Sequence, residues 1–146
     1  MLIAGIGATV EPDLKKIIAL STLRQLGVII ARISIGLPRV ALFHLITHAL
    51  FKALLFVCAG TIIFINSHRQ DLRTTGRIYT CPLTTTAFYI ANLSLCGTPF
   101  LAAFYSKDIL LEIYLFSPIS IVTLMLVFIA TSFTSAYTAR FIINLL

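Results

Sequence analysis

The feature that most constrains the fold is a succession of apolar runs, each about as long as a bilayer is thick. A hydrocarbon core of about 30 Å needs roughly 20 mostly apolar residues per helical span. Only helices and closed barrels satisfy their backbone hydrogen bonds in that environment. The chain has 146 residues, of which 59% are hydrophobic and 11% charged, too few polar residues to cover a water-soluble domain. The sequence therefore predicts an all-α, polytopic transmembrane helix bundle.

Charged residues and prolines divide the apolar sequence into about four predicted spans. A shorter first run, ended by Glu11 and Pro12, cannot cross a bilayer and is expected to be the end of a fifth span that begins outside the sequence. We predict spans at residues 17–36, 39–65, 83–115 and 119–143, all within one membrane domain over residues 1–146. Two arginines in the first of these spans, Arg24 and Arg32, are expected to face protein or an interface.

The third predicted span is too long for one straight helix through a bilayer. Residues 83–115 would extend over about 50 Å at 1.5 Å per residue. Gly97 and Pro99 lie in the middle of this run, where they combine a flexible residue with one that lacks an amide donor and clashes with the preceding turn. We predict a helix that is broken near Gly97–Pro99, close to the middle of the membrane.

The basic residues separate the apolar runs instead of gathering on one solvated face. The net charge of +6 therefore does not predict a nucleic-acid partner. Counted loop by loop, the basic residues follow the positive-inside rule for consecutive crossings of a lipid bilayer. One side of the membrane is predicted to carry Lys15, Lys16, Arg69, Arg73, Arg77 and Arg140.

Three ionisable residues interrupt the second predicted span. His44, His48 and Lys52 are spaced four residues apart, which places them on one helical face along about 12 Å of helix axis. A charged residue at the bilayer centre costs about 2.5–3.5 kcal/mol, so such residues are functional candidates. Histidine titrates near neutral pH, and desolvation brings a lysine toward the same range. The pattern is typical of a proton relay; alternatively, the histidines hydrogen-bond neighbouring helices and the lysine pairs with an acid or extends to the interface.

A second candidate site follows the predicted helix break. Lys107 and Asp108 occur in the segment FLAAFYSKD, shortly after Pro99. A broken helix frees backbone carbonyls and places half-helix ends inside the membrane, which favours water and mobile charge there. We predict that Lys107 and Asp108 take part in proton transfer. The alternative is that both residues have reached the interface and mark the end of the helix.

The same residues do not form a convincing metal site. His44 and His48 have the HxxxH spacing, but Leu45 stands where a zinc protease has its glutamate, and no third ligand is evident. Haem ligation would need histidines on different helices, and His68 lies in a polar loop. The cysteines show no CxxC spacing and predict neither a disulfide framework nor an iron–sulfur cluster: Cys58, Cys81 and Cys96. We expect no metal and no cofactor bound by this chain.

Four segments, in this order, resemble the antiporter-like subunits of mitochondrial NADH:ubiquinone oxidoreductase, the respiratory complex I. They are DLKKIIALST at 13–22, FHLITHALFKALLFVCAG at 43–60, QDLR at 70–73 and LCGTPFLAAFYSKD at 95–108. Because members of that family are much longer helix bundles, the resemblance implies that this chain corresponds to one part of such a subunit. It departs from the family at Arg24, where a small polar residue is common, and at Arg32, which lies in a normally uncharged span.

The resemblance also implies residue roles and a setting. His44, His48 and Lys52 would belong to a polar axis through the membrane, and Lys107 would be a terminal proton site. The partners would be the other membrane-arm subunits in the mitochondrial inner membrane. NAD and ubiquinone would be used elsewhere in the complex, because this chain has no redox centre. Two other interpretations stay open: a subunit of a multisubunit cation/proton antiporter, which shares the axis, and a structural bundle whose charges only pair.

Overall fold

The computed structural model describes residues 1–73, 81–116 and 121–145, and within these ranges the chain forms six helices and no strand. They are α1 (Leu2–Val10), α2 (Leu14–Ser34), α3 (Pro38–Ile65), α4 (Pro82–Cys96), α5 (Ala102–Phe116) and α6 (Ile121–Leu145). Proline occupies the first turn of both α3 and α4, where its missing amide hydrogen costs no helical hydrogen bond. The predicted all-α helix bundle is confirmed.

In the part of the chain that the structure describes, three helices are long and apolar enough to cross a membrane by themselves. They are α2, α3 and the part of α6 at Leu124–Ile143, with mean hydropathies of 1.5, 2.1 and 1.4. The helices α4 and α5 have 15 residues each, so each extends only about 22 Å and is shorter than a hydrocarbon core. The structure thus has three continuous candidate spans and one broken pair. The predicted start of the last span at residue 119 lies outside the described residues.

The break between α4 and α5 lies where the sequence predicts it. Gly97 has a φ of 85°, in the left-handed region that favours glycine, and its N–H bonds to the carbonyl of Leu93 at 3.2 Å. The N–H of Thr98 bonds to the same carbonyl at 3.3 Å. Helical structure resumes only at Ala102. The predicted break near Gly97 and Pro99 is confirmed, and it leaves the carboxyl end of α4 inside the bundle.

Polar side chains form a buried layer between two apolar clusters. The helix α2 packs between α1 and α3, while α3 also contacts α4 and α5, and α6 packs against α1 and α4. One apolar cluster joins α2, α3, α4 and α6 around Ile17, Leu55 and Phe88. The other joins α2, α5 and α6 around Val28, Leu110 and Val127. Between the clusters lies what we call the polar layer: Ser21, Gln25, His44, His48, Lys52 and Ser106, all buried.

The loops at one end of the bundle lie side by side. The N–H of Leu14 bonds to the carbonyl of Gln70, and the N–H of Leu72 bonds to that of Pro12, both at 3.1 Å. Arg140 of α6 donates to the carbonyls of Ala8, Thr9 and Glu11 at the carboxyl end of α1. The basic residues of these loops therefore share one end of the bundle, in agreement with the predicted topology. Arg77, which was assigned to the same side, lies outside the described residues.

Candidate functional site

Three ionisable side chains of α3 lie in the polar layer along one face of the helix. His44, His48 and Lys52 are 1%, 6% and 5% exposed. The two imidazole rings are nearly parallel, with centroids 6.1 Å apart and an interplanar angle of 21°. This arrangement follows from the four-residue spacing, which brings successive side chains over one another on a helix. All three are enclosed by protein, and their role in proton transfer stays a prediction.

Side chains from α2 and α5 contact this face. Nδ1 of His44 lies 2.8 Å from Oγ of Ser106, and Nε2 of His44 lies 3.4 Å from Oε1 of Gln25. Nζ of Lys52 donates to Oγ of Ser21. The hydroxyl of Ser21 in turn donates to the carbonyl of Ile18 at 2.7 Å. Each partner is a hydroxyl or an amide, which can either donate or accept a hydrogen bond.

These three partners were missed by the sequence analysis. One signal was available, because Ser21 and Gln25 are four residues apart in an apolar helix and therefore share a face. Ser106 directly precedes Lys107, but nothing in the sequence indicates that it turns toward His44. The structure adds Ser21, Gln25 and Ser106 to the candidate site.

Lys107 lies at the helix break and turns back toward α4. Its Nζ donates to the carbonyls of Leu95 at 2.6 Å and Cys96 at 2.9 Å. These carbonyls belong to the last turn of α4, where they have no partner within the helix and where the helix dipole favours a cation. Lys107 therefore caps α4 across the break, which differs from the alternative that it simply marks the end of a helix at the interface.

A cavity of about 200 Å³ borders Lys107. Asp108, which is exposed, also lines it, together with hydroxyl groups of α6. Those hydroxyl-bearing residues are Thr131, Thr134 and Ser135. The side chains of Phe104 and Leu111 complete the lining, and a cavity of this size has room for water molecules that hydrogen-bond to its polar groups. The structure thus places Lys107 and Asp108 at one cavity, while the role of both in proton transfer stays a prediction.

The contact between Gly97 and Lys107 predicts that Gly97→Ala displaces the Lys107 side chain, whereas Gly36→Ala does not. Gly97→Ala would place a Cβ 3.1 Å from Cδ and 3.3 Å from Nζ of Lys107. Gly36 has nearly the same φ, 87°, with nothing within 4 Å of its would-be Cβ. Both substitutions are expected to cost about 1–2 kcal/mol of backbone strain, but only Gly97→Ala should displace Lys107. Amine-reactive labelling of Lys107 in the full-length protein, read by mass spectrometry, checks this. Equal labelling of the two variants would contradict the contact.

Two arginines lie inside the same bundle. Arg24 and Arg32 are 1% and 0% exposed, so both face protein as the sequence analysis expected. Arg24 donates to the carbonyl of Ala130 and lies 5.6 Å from the ring centroid of Tyr137, and Arg32 donates to the carbonyl of Ser106 at 3.0 Å. Neither forms an ion pair with a carboxylate in the described part of the chain. Both also keep buried guanidinium nitrogens without a hydrogen bond to any described residue.

The metal alternative finds no support in the geometry of the histidines. Among residues 1–73, 81–116 and 121–145, no group of three or more His, Cys, Asp or Glu side chains could hold a metal ion. His68 lies in the loop after α3, where its ring packs edge-on against Phe64 at 5.9 Å between centroids.

The helices, the break and the polar layer define an integral membrane protein with ionisable groups in its interior. The family model described as NADH:quinone oxidoreductase/Mrp antiporter, TM, matches residues 1–134. The chain therefore belongs to the family of NADH:quinone oxidoreductase and Mrp antiporter membrane subunits.

Individual relatives agree with this assignment. The chain is 51% identical over 143 residues to NADH-ubiquinone oxidoreductase chain 5 of Anopheles gambiae, which covers 97% of this chain and 25% of the relative. It is 48% identical to the chain 5 of Lumbricus terrestris over 96% of this chain and 25% of the relative. For Pongo pygmaeus the identity is 46% over 99% of this chain and 24% of the relative. The chain thus spans about a quarter of the length of the curated relatives it matches.

Proposed function

We propose that this chain is part of a proton-translocating membrane-arm subunit of mitochondrial NADH:ubiquinone oxidoreductase, and that protons pass through its polar layer. The observation that carries the proposal is the burial of His44, His48 and Lys52 between two apolar clusters. In the described part of the chain, the hydrogen-bond partners of His44 and Lys52 are hydroxyls and an amide. A buried ion pair would hold its proton in place, whereas partners that can donate or accept allow both protonation states. Membership of the family and the names of the relatives support the same function.

Lys52 and Ser21 illustrate how such a site transfers a proton. As an ammonium group, Lys52 donates to Oγ of Ser21, whose own hydrogen points to the carbonyl of Ile18. After Lys52 releases a proton, the neutral amine is an acceptor, and rotation of the Ser21 hydroxyl can supply the donor. The hydrogen bond between Lys52 and Ser21 can therefore be kept in both states, with its direction reversed.

The remaining residues would extend the path from Lys52. The rings of His44 and His48 are stacked and can each accept and release a proton. Lys107 would be the terminal site, because it lies at the helix break beside a cavity that Asp108 also lines. In this proposal the five residues His44, His48, Lys52, Lys107 and Asp108 form the proton relay.

The energy for transport would come from elsewhere in the complex. NADH oxidation and ubiquinone reduction would take place in other subunits, with NAD and ubiquinone bound there. This chain would receive that energy through its contacts with other membrane-arm subunits in the mitochondrial inner membrane. Changes in hydration and local field would alter the relative proton affinity of His48, Lys52 and Lys107. The subunit would act within a translocase and would carry no redox centre.

The test is the proton-to-electron ratio of the assembled complex in vesicles when the full-length subunit carries Lys52→Met. Methionine keeps the length of the side chain but cannot bind a proton, so we expect proton pumping through this subunit to stop. Loss of a positioned acid–base group typically slows proton transfer about 10²–10⁴-fold. Lys15→Met is the matched control, because Lys15 is exposed and the change in net charge is the same. A normal ratio in the Lys52→Met complex would contradict the proposal.

A cation/proton antiporter subunit is the second candidate, and the description of the matching family model includes such antiporters. The same vesicles distinguish the two, because a respiratory subunit should pump protons at an unchanged ratio when sodium is removed. A sodium requirement would favour the antiporter. A purely structural bundle would give a different pair of results. The Lys52→Met complex would fail to assemble, and variants of the other buried ionisable residues that do assemble would pump normally.

A further inference from the structure

The imidazole of His44 is held on both sides by side chains from two other helices. Ser106 of α5 lies 2.8 Å from Nδ1, and Oε1 of Gln25 of α2 lies 3.4 Å from Nε2. Each of the three side chains is 1% exposed. Because the imidazole is almost fully buried, neither ring nitrogen can bond to bulk water in place of these two residues. Ser106 and Gln25 therefore determine which hydrogen bonds His44 can make.

Hydrogen bonding by Ser106 indicates which ring nitrogen carries a proton. The Ser106 hydroxyl also lies 3.1 Å from the carbonyl of Ala103, one turn earlier in α5. When it donates its hydrogen to that carbonyl, its oxygen accepts from Nδ1–H of His44. Nε2 of His44 is then the position at which a proton is gained or lost.

Gln25 faces that position with an amide that has one free donor. Its Oε1 points toward Nε2 of His44, while its own Nε2 is buried and bonds to no described residue. A protonated His44 would donate Nε2–H to this oxygen. A neutral His44 would present a lone pair, and rotation of the amide by half a turn would then offer it the unpaired N–H of Gln25. The distance of 3.4 Å is at the long end of the hydrogen-bond range, so this contact is weaker than the one to Ser106.

We propose that Gln25 and Ser106 are positioning residues that keep His44 hydrogen-bonded in both its protonated and its neutral state. The inference rests on the proposed proton path, and it assigns a role there to two residues outside the ionisable set. The only covalent bond made or broken is N–H at Nε2 of His44; the amide of Gln25 rotates, the hydroxyl of Ser106 keeps its bond to the carbonyl of Ala103, and both groups keep their own protons.

Other charges near His44 do not provide this function. The charged and titratable groups that face it within the described chain are Arg24 and Arg32 of α2, His48 of α3 and Lys107 of α5. The arginines have no acceptor capacity, so they cannot accept Nε2–H. Lys107 donates instead to the carbonyls of Leu95 and Cys96. Gln25 is the group in contact with Nε2 of His44 that can change its hydrogen-bonding sense, while Ser106 holds Nδ1.

Two substitutions of Gln25 are expected to have opposite effects on the pH dependence of proton pumping by the complex. Gln25→Met removes the acceptor, and a hydrogen bond to a charged group is worth about 1.5–3 kcal/mol, or about 10- to 100-fold in the proton affinity of His44. The pH above which pumping declines should therefore fall by about one to two units. Gln25→Glu adds a permanent acceptor with negative charge and should raise that pH. Gln70→Met, at an exposed position, is the matched control and should leave it unchanged.

Ser106 provides a second measurement that does not depend on Gln25. Ser106→Ala should lower pumping at constant electron transfer, and Ser106→Thr, which keeps the hydroxyl, should recover most of it. Ser34→Ala, an exposed serine with the same bond to its own helix, is the control. The inference is overturned if both Gln25 variants shift the pH profile in the same direction or leave it in place, or if Ser106→Ala pumps normally. If Lys52→Met stops pumping while the Gln25 and Ser106 variants change nothing, only this inference fails and the proposed function stands.

Discussion

In the full-length subunit, Lys107→Met is expected to stop proton transfer through this part of the complex while electron transfer from NADH to ubiquinone continues. The side chain lies at the helix break beside the cavity that Asp108 also lines, and methionine cannot carry a proton there. Loss of a positioned acid–base group corresponds to slowing by about 10²–10⁴-fold. The measurement is the proton-to-electron ratio of the complex in vesicles, together with the amount of assembled complex.

A second variant at the same position separates proton transfer from capping. Nζ of Lys107 also satisfies the carbonyls of Leu95 and Cys96, so methionine costs about 1–3 kcal/mol of stability through these unpaired groups. Arginine can donate to both carbonyls but stays charged at all accessible pH values. Lys107→Arg should therefore restore the stability of the complex without restoring pumping. A Lys107→Arg complex that pumps normally would show that this residue is only a helix cap.

Replacing the two buried arginines by serine is expected to stabilise the membrane-inserted protein. Arg24 and Arg32 bring positive charge into α2 without a carboxylate partner in the described chain. Removing Arg24 from the centre of α2 lowers the free energy of insertion by about 2–3 kcal/mol, and removing Arg32, which lies in the last turn of the helix, lowers it by less. Serine suits this helix, because Ser21 and Ser34 already bond to the carbonyl three residues earlier. The measurement is the inserted fraction of α2 in a translocon assay and the thermal stability of the complex.

Whether the serine variants are more or less stable shows whether the arginines have a carboxylate partner in the full-length subunit. If another helix supplied a carboxylate to Arg24 or Arg32, the serine variant would leave that acid buried and unpaired, at a cost of about 3–5 kcal/mol. Arg39→Ser, at an exposed position, is the control and should change insertion little. Reduced stability of the complex with Arg24→Ser or Arg32→Ser would contradict the absence of a counter-charge.

Features that depend on local sequence were predicted well. The four-residue spacing of His44, His48 and Lys52 fixes one helical face whatever surrounds it. The break between α4 and α5 follows from the conformational freedom of Gly97 and the missing amide hydrogen of Pro99. Helix ends were less accurate: α2 begins at Leu14 rather than at residue 17, because lysines near an interface can be helical while their charges reach water.

Features that depend on packing could not be predicted from one sequence. Ser21, Gln25 and Ser106 become partners of the ionisable residues only because α2 and α5 turn these faces toward α3. The direction of Lys107 was equally open, since a lysine after a helix break can extend to the interface or turn inward. Its contact with the carbonyls of α4 depends on the angle between two half-helices, which no local pattern specifies.

The central claim is that the buried ionisable residues serve one proton path, and it is tested most directly by combining Lys52→Met with Lys107→Met in one complex. The quantity to measure is the proton-to-electron ratio in vesicles for the two single variants and the double variant. A path that is already interrupted at one point loses no further transport when it is interrupted at a second. The double variant should therefore have the same proton-to-electron ratio as the single variant with the lower ratio. Losses that add in the double variant would show two independent routes and contradict the account.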